Sequence, residues 1–405
     1  MEGTQRLANV IRDAIASSGS ISFAQFMEFA LLDPDDGYYT GTRVRVGRSG
    51  DFITAPELHP ILGAALARLA VATWERLERP RTFRWIEFGA GSGTLLRAAI
   101  EHLEREGSPL LPALEVQAIE ANPFRRAELV AALAAKGTPV LDGAASEEPE
   151  SNGLAVAGIV VANEFLDALP THIVVGRRAA PNGFLERRVA IDPTSGALTW
   201  VEGDPDAAIA PALTARVAAH ASAASPLAEG QLAEFSLAAD AWVATLSSYL
   251  SRGIVAVIDY GREARELRDP SVRMAGTALA YASHRATGDL LGDPGERDLT
   301  AHVDLTALRA AAEAAGLTHV VGTTQAAFLA SAGLDAEIAR LRSGPEATLE
   351  GAIALRSALA SLMDPRGMGG FAVELFATGS PSDRAALANP TEPLPGAAAS
   401  IRRLV

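Results

Sequence analysis

No cysteine occurs in the 405 residues, which removes disulfides, thiolate zinc sites and cysteine nucleophiles at once. Lysine is nearly absent: Lys136 stands alone against many arginines. Basic charge is in deficit, with 35 Lys and Arg against 49 Asp and Glu and a formal net charge of −14. A general nucleic-acid binder needs a basic face to neutralise phosphates, so no nucleic-acid partner is expected. Long apolar runs are missing too. Leu154 to Ala162, the longest, is far too short to cross a bilayer and reads as a buried strand, so no membrane insertion is expected. The seven histidines show no pair at the three- or four-residue spacing that would set two ligands on one helix face, and no metal is expected. The first 18 residues contain Glu2 and Asp13 and no apolar core, which speaks against a secretory signal and an acid-poor presequence. The expected location is cytoplasmic.

What is present is an ordinary globular composition, 48% hydrophobic and 21% charged, in a chain long enough for one large core with insertions or for two domains. Residues 1–80 read as helical: an apolar stripe through Leu7, Val10, Ile11 and Ala14, then Phe23 to Leu31 capped by Ser22, then Pro60 to Leu77, with a glycine-rich loop between the last two that is suited to a lid. From residue 81 short apolar strands alternate with helices: strand Arg84–Phe88, helix Thr94–Glu106, strand Glu115–Ile119, helix Pro123–Lys136, strand Gly158–Ala162. That order predicts an α/β fold with a mostly parallel, doubly wound, Rossmann-like sheet. Residues 172–232 read as an antiparallel insertion with turns at Pro-Asn-Gly and Asp-Pro-Thr-Ser-Gly. Residues 233–378 resume the core, with helix Ala233–Ser251, strand Ile254–Asp259, a helical insertion and a last strand Phe371–Ala377; residues 379–405 form a Pro/Ala-rich tail.

Glu87-Phe88-Gly89-Ala90-Gly91-Ser92-Gly93 ends the first strand and opens a helix. Gly89, Gly91 and Gly93 allow a sharp turn and a close backbone approach to a ligand. The third glycine follows the second by two residues rather than the three of the dinucleotide fingerprint. Glu87 suits the ammonium of a methionine moiety and would repel a pyrophosphate. Glu120, at the end of the second strand, can accept both ribose hydroxyls, and Asp142, after a third strand Pro139–Leu141, can reach an adenine amino group. A tight turn without a ligand and a dipole-favoured charge at Glu120 are the plainer alternatives.

The chain resembles the MidA-like, class I S-adenosylmethionine (SAM)-dependent methyltransferases, bacterial and mitochondrial relatives of a complex I assembly factor. The resemblance rests on Gly37-Tyr38-Tyr39, the block Gly50 to Glu57, the block Glu87 to Leu95 and Ala162-Asn163-Glu164-Phe165-Leu166-Asp167-Ala168-Leu169-Pro170. It continues through Ile258-Asp259-Tyr260-Gly261, the block Asp298 to Asp304, the block Thr324 to Leu329 and Met368-Gly369. Ala55, Ala90, Ser92 and Leu166 depart from the family's usual serine, proline, arginine and phenylalanine. The resemblance implies a class I methyltransferase fold, SAM as the cofactor, Asn163 among the cofactor-binding residues, and a protein arginine acceptor such as one on a respiratory complex I subunit. A homodimer is a further expectation.

An arginine acceptor is protonated at neutral pH, so carboxylates are needed to hold its planar fork and aim one nitrogen. Glu164 and Asp167 follow the fourth strand at the carboxyl edge, and their spacing sets them on one face if the turn is helical. They are the expected catalytic residues, with loop-organising roles as the alternative. Asp51, Thr54 and Glu57 belong to the candidate lid, while Tyr260 and His302 are candidates for the acceptor side; His302 and Asp304 share a face if they lie on a strand. Methylation of a small cationic metabolite, and SAM binding without transfer chemistry, remain as alternatives.

Overall fold

The computed structural model describes residues 2–41, 54–135, 137–144, 156–220, 227–344, 347–389 and 394–395. The chain forms two compact units, each assembled from three segments: Met1–Phe52, Leu166–Val243 and Gly261–Leu308 make one, and Ile53–Phe165, Ala244–Tyr260 and Arg309–Val405 make the other. The division does not follow the segments read from sequence. Residues 53–80 belong with the sheet unit, and residues 261–308, expected within the core, belong with the other.

The second unit contains a seven-stranded sheet: β1 (Phe83–Phe88), β2 (Leu114–Glu120), β3 (Val140–Ala144), β4 (Ala157–Asn163), β5 (Arg252–Asp259), β6 (Thr318–Thr324) and β7 (Ala372–Thr378). Its order is β3-β2-β1-β4-β5-β7-β6. The first five pair in parallel, and β7 runs antiparallel to both β5 and β6. The 3-2-1-4-5 half is the doubly wound order, which places the topological switch point between β1 and β4.

Alternate residues of each parallel strand enter one core: Phe83 and Trp85 of β1, Val116 and Ala118 of β2, Ile159 and Val161 of β4, Ala256 and Ile258 of β5. Helices Ile61–Arg76, Thr94–Arg105, Gln325–Ser331 and Leu349–Leu362 cover it through Leu62, Leu66, Leu96, Phe328 and Leu355. Strand side chains repeat every second residue. The next positions in these four rows are therefore Glu87, Glu120, Asn163 and, just past β5, Tyr260. The tail contributes helix Pro381–Leu387, started by a Ser380–Asp383 capping box, and Leu387 and Leu394 are buried in the same core.

The first unit holds helices Glu2–Ser18 and Phe23–Leu32, the latter begun by a capping box of Ser22 and Gln25. They pack Leu7, Ile11, Phe26 and Met27 together with Tyr38. A five-stranded sheet is built from Ile21–Ser22, Phe184–Ile191, His172–Gly176, Leu232–Phe235 and Leu198–Gly203. The expected helix from Ala233 instead starts at Leu237, because Leu232–Phe235 pairs antiparallel with His172–Val175. Its burial alternates, so tertiary pairing overrides a local pattern that read as helical.

Candidate functional site

The glycine turn after β1 has positive φ at Gly89 (65°), Gly91 (54°) and Gly93 (72°), a left-handed sequence that favours glycine. A Cβ on Gly93 would lie 2.1 Å from Leu129 Cδ1, so that position also serves close packing of the helix Pro123–Ala135. A Cβ on Gly91 would meet nothing nearer than the Gly89 carbonyl at 4.0 Å, so it would project into open space. Backbone approach is thus available at Gly91, as the sequence requires of a ligand loop.

Glu87 is 3% exposed, and its Oε2 is buried with no hydrogen-bond partner. Burial pushes its carboxyl up to about 8, the Trp85 indole opposes that shift and the Glu120 charge adds to it. On the neighbouring strand Asn163 presents a second buried, unpartnered acceptor, Oδ1, while its Nδ2 donates to Glu164 Oε1 at 3.4 Å. Phe88 is in register with Ala162, so these two orphan acceptors end adjacent strands at the switch point. Buried acceptors without donors are uncommon and fit a ligand that brings a cation or N–H groups.

Glu120, expected from sequence to accept ribose hydroxyls, bonds two backbone amides. Its Oε2 accepts the Gly91 N–H at 2.7 Å and its Oε1 accepts the Asn122 N–H at 2.8 Å, so one carboxylate braces both neighbouring loops. Each oxygen retains a lone pair for a further donor. Asn122, not singled out from sequence, is buried and its Oδ1 accepts the Phe124 and Arg125 amides, starting the helix Pro123–Ala135. The legible signal was an Asn directly before a Pro at the first helical position. Asp142 lies on β3 opposite Ala118; its side chain falls outside the described residues.

Glu164 sits just past β4 with φ of +49°, uncommon for a residue with a side chain. Its N–H donates to the Ile258 carbonyl and its Oε1 accepts the Ala55 N–H at 3.1 Å. The next amide, of Phe165, donates to Asp259 Oδ2 at 3.2 Å, and Tyr260 N–H donates to Asp259 Oδ1 at 2.8 Å. Asp259, 1% exposed at the end of β5, therefore organises the turn carrying Glu164. Thr54 begins the one-turn helix Ala55–Leu58 without a side-chain cap bond. Glu57 in that helix accepts from Thr94 Oγ1 at 2.9 Å, which brings it to the glycine turn. Asp51 lies outside the described residues.

The remaining candidates lie as follows. Residues 164–169 form a turn, not a helix, so the shared helical face of Glu164 and Asp167 is absent. Asp167 belongs to the first unit, buried beside Tyr39 and Tyr281. There Tyr39 Oη donates to Asp298 Oδ1 at 2.7 Å, and burial, then Asp298, then Asp167 push that phenol well above its usual 10. Tyr260 packs on Phe371 with ring centroids 5.4 Å apart. His302 is also in the first unit, and burial, with Arg273 and Arg262, lowers it to about 4, so it is neutral at pH 7. The carboxylate of Asp304 meets Arg268 Nη2 at 2.6 Å and the Ala307 amide, so the structure assigns it to an ion pair.

Among the described residues no group of three or more His, Asp or Glu side chains is arranged to hold a metal, and no helix is long and apolar enough to cross a membrane. Residues 65–323 match the family described as "Putative S-adenosyl-L-methionine-dependent methyltransferase". A crystal structure from Burkholderia thailandensis bound to S-adenosyl-homocysteine (SAH) is 32% identical, covers 96% of each chain and superposes with a TM-score of 0.79. The Drosophila melanogaster mitochondrial protein arginine methyltransferase NDUFAF7 homolog is 29% identical over 91% of this chain and 83% of its own. Human mitochondrial protein arginine methyltransferase NDUFAF7 is 28% identical over 80% and 72%. These relatives overturn the expected cytoplasmic location, since they are mitochondrial proteins. The orphaned acceptors fit the ammonium-bearing end of SAM, and the chain belongs to the S-adenosyl-L-methionine-dependent methyltransferase family.

Proposed function

We propose that the carboxyl edge of β2, β1 and β4 holds SAM and that Glu164 serves a protein arginine acceptor. The observation that carries the cofactor placement is the pair of unpartnered buried oxygens, Glu87 Oε2 and Asn163 Oδ1, at the switch point. Both are acceptors, so they recognise the ammonium of an amino-acid group. Glu120 keeps the glycine turn in place and has lone pairs for ribose hydroxyls. Phe124, 63% exposed in the first turn of the helix that follows β2, has a ring free to stack on a base.

SAM supplies a methyl group already activated by its sulfonium, so the chain's task is to position the acceptor and exclude water. Glu164 is suited to positioning because its amide is held by Ile258 and the next amide by Asp259, while the residue as a whole is only half-buried. A carboxylate there can hold a guanidinium by charge-assisted hydrogen bonds. The names of the curated relatives support arginine as the acceptor class, and the family resemblance makes a respiratory complex I subunit the first protein to try. The homodimer is tested separately by sedimentation.

The test is transfer from methyl-labelled SAM to extract of cells lacking this protein, followed by acid hydrolysis and mass spectrometry. Label on methylarginine is expected. Label confined to the small-molecule fraction would replace the protein acceptor with a metabolite.

A further inference from the structure

Dinucleotide loops hold a pyrophosphate with two devices: backbone amides of the glycine turn and the N-terminus of the following helix. In this chain both are answered by its own carboxylates. The Gly91 amide donates to Glu120 Oε2. Helix Thr94–Arg105 starts at Gly93, which has no side chain to cap it. Glu57 supplies the charge instead, its Oε1 accepting from Thr94 Oγ1 at 2.9 Å and Ser92 Oγ at 3.4 Å. That sets a negative group against the partial positive charge of the helix end. Glu57 is held from the other side as well, because the Ala55 amide of its short helix donates to Glu164. Glu87 contributes less repulsion before a ligand arrives, since burial pushes it up to about 8 and leaves it largely protonated at pH 7.

We propose that Glu57 is a specificity-determining residue, a resident anion over the helix N-terminus that excludes phosphate-bearing nucleotides from the adenosine site. The site is thereby left to a ligand that brings no phosphate to the helix end. Glu57 lies 37 residues before Thr94 in sequence, and the substitution Glu57→Gln keeps its volume and an acceptor oxygen while removing the charge. The inference rests on the cofactor lying at this loop.

The experiment is displacement of SAH from the full-length protein by adenosine and by adenosine diphosphate (ADP). The ratio of their inhibition constants isolates the penalty on phosphate. In Glu57→Gln the ADP-to-adenosine ratio is expected to fall at least tenfold, and in Glu57→Asp, which keeps the charge, to stay within about threefold of the original protein. An unchanged ratio in Glu57→Gln overturns the proposal, as does an equal fall in both variants, which would point to packing instead of charge. If Glu57→Gln does not fold, Glu57→Ala decides: it removes the same charge, and an unchanged ratio again overturns the idea. Failure of the cofactor placement looks different. It shows as Gly91→Val retaining full SAH affinity, whereas a Gly91→Val protein deficient in SAH with an unchanged Glu57→Gln ratio sinks only the role of Glu57.

Discussion

Replacing Glu87 by Gln should make the ligand-free protein more stable and the liganded one less so, with opposite dependences on pH. Burial raises this carboxyl from its ordinary 4.5 to about 8. Between those values the unfolded chain has lost a proton that the folded chain still holds. The stability of the original protein relative to Glu87→Gln therefore falls as pH rises through that window, by about 1.4 kcal/mol per pH unit. Urea midpoints of the two proteins should diverge from pH 5 to pH 8 and then run parallel. Binding reverses the sense. An ammonium on Oε2 requires the carboxylate, so at pH 7 its proton must leave at a cost of about 1.4 kcal/mol. Calorimetric titration with SAH in buffers of different ionisation heat should count close to one proton released at pH 7. Affinity should rise nearly tenfold from pH 6 to pH 7 and level near 8, and Glu87→Gln should bind weakly without that slope. Parallel midpoints throughout, together with no proton release, would refute the reasoning.

Gly91→Val should abolish SAH binding while leaving the circular dichroism spectrum intact, because its side chain enters the open space beside the turn at a φ of 54°; normal calorimetric affinity would remove this loop from the cofactor site. Glu164→Gln should keep SAH affinity and lose at least tenfold in label transfer to protein, and unchanged transfer would leave Glu164 a loop-bracing residue only. Glu337, 4% exposed, is shared by Arg68, Arg105 and Arg340 at 3.2, 3.3 and 2.9 Å. Glu337→Ala strands those cations and should cost about 3 kcal/mol in urea unfolding; a loss under ~0.5 kcal/mol would show that solvent already screens the cluster.

Strand alternation and glycine placement are local, and they were legible. The rows ending in Glu87, Glu120 and Asn163 follow from a two-residue repeat, and the left-handed turn at Gly89, Gly91 and Gly93 follows from the lack of a Cβ. Leu232–Phe235 was not legible, because its strand identity comes from pairing with His172–Val175, some 60 residues earlier.

The chain by itself determined which segments form the parallel strands, the strand that carries the glycine turn and the carboxylates near it, since strand and turn propensity depend on neighbours one to four residues away. Tertiary structure decided what each carboxylate touches. Glu57 meets Thr94, Glu120 meets Gly91, Glu164 meets Ala55, and Asp259 meets Phe165. It also decided that Asp167 and His302 join a unit assembled from three separated segments. Hydrogen-bond partners are selected by distances of about 3 Å after the chain has folded, and no spacing along the sequence encodes which of several acids will come to rest there.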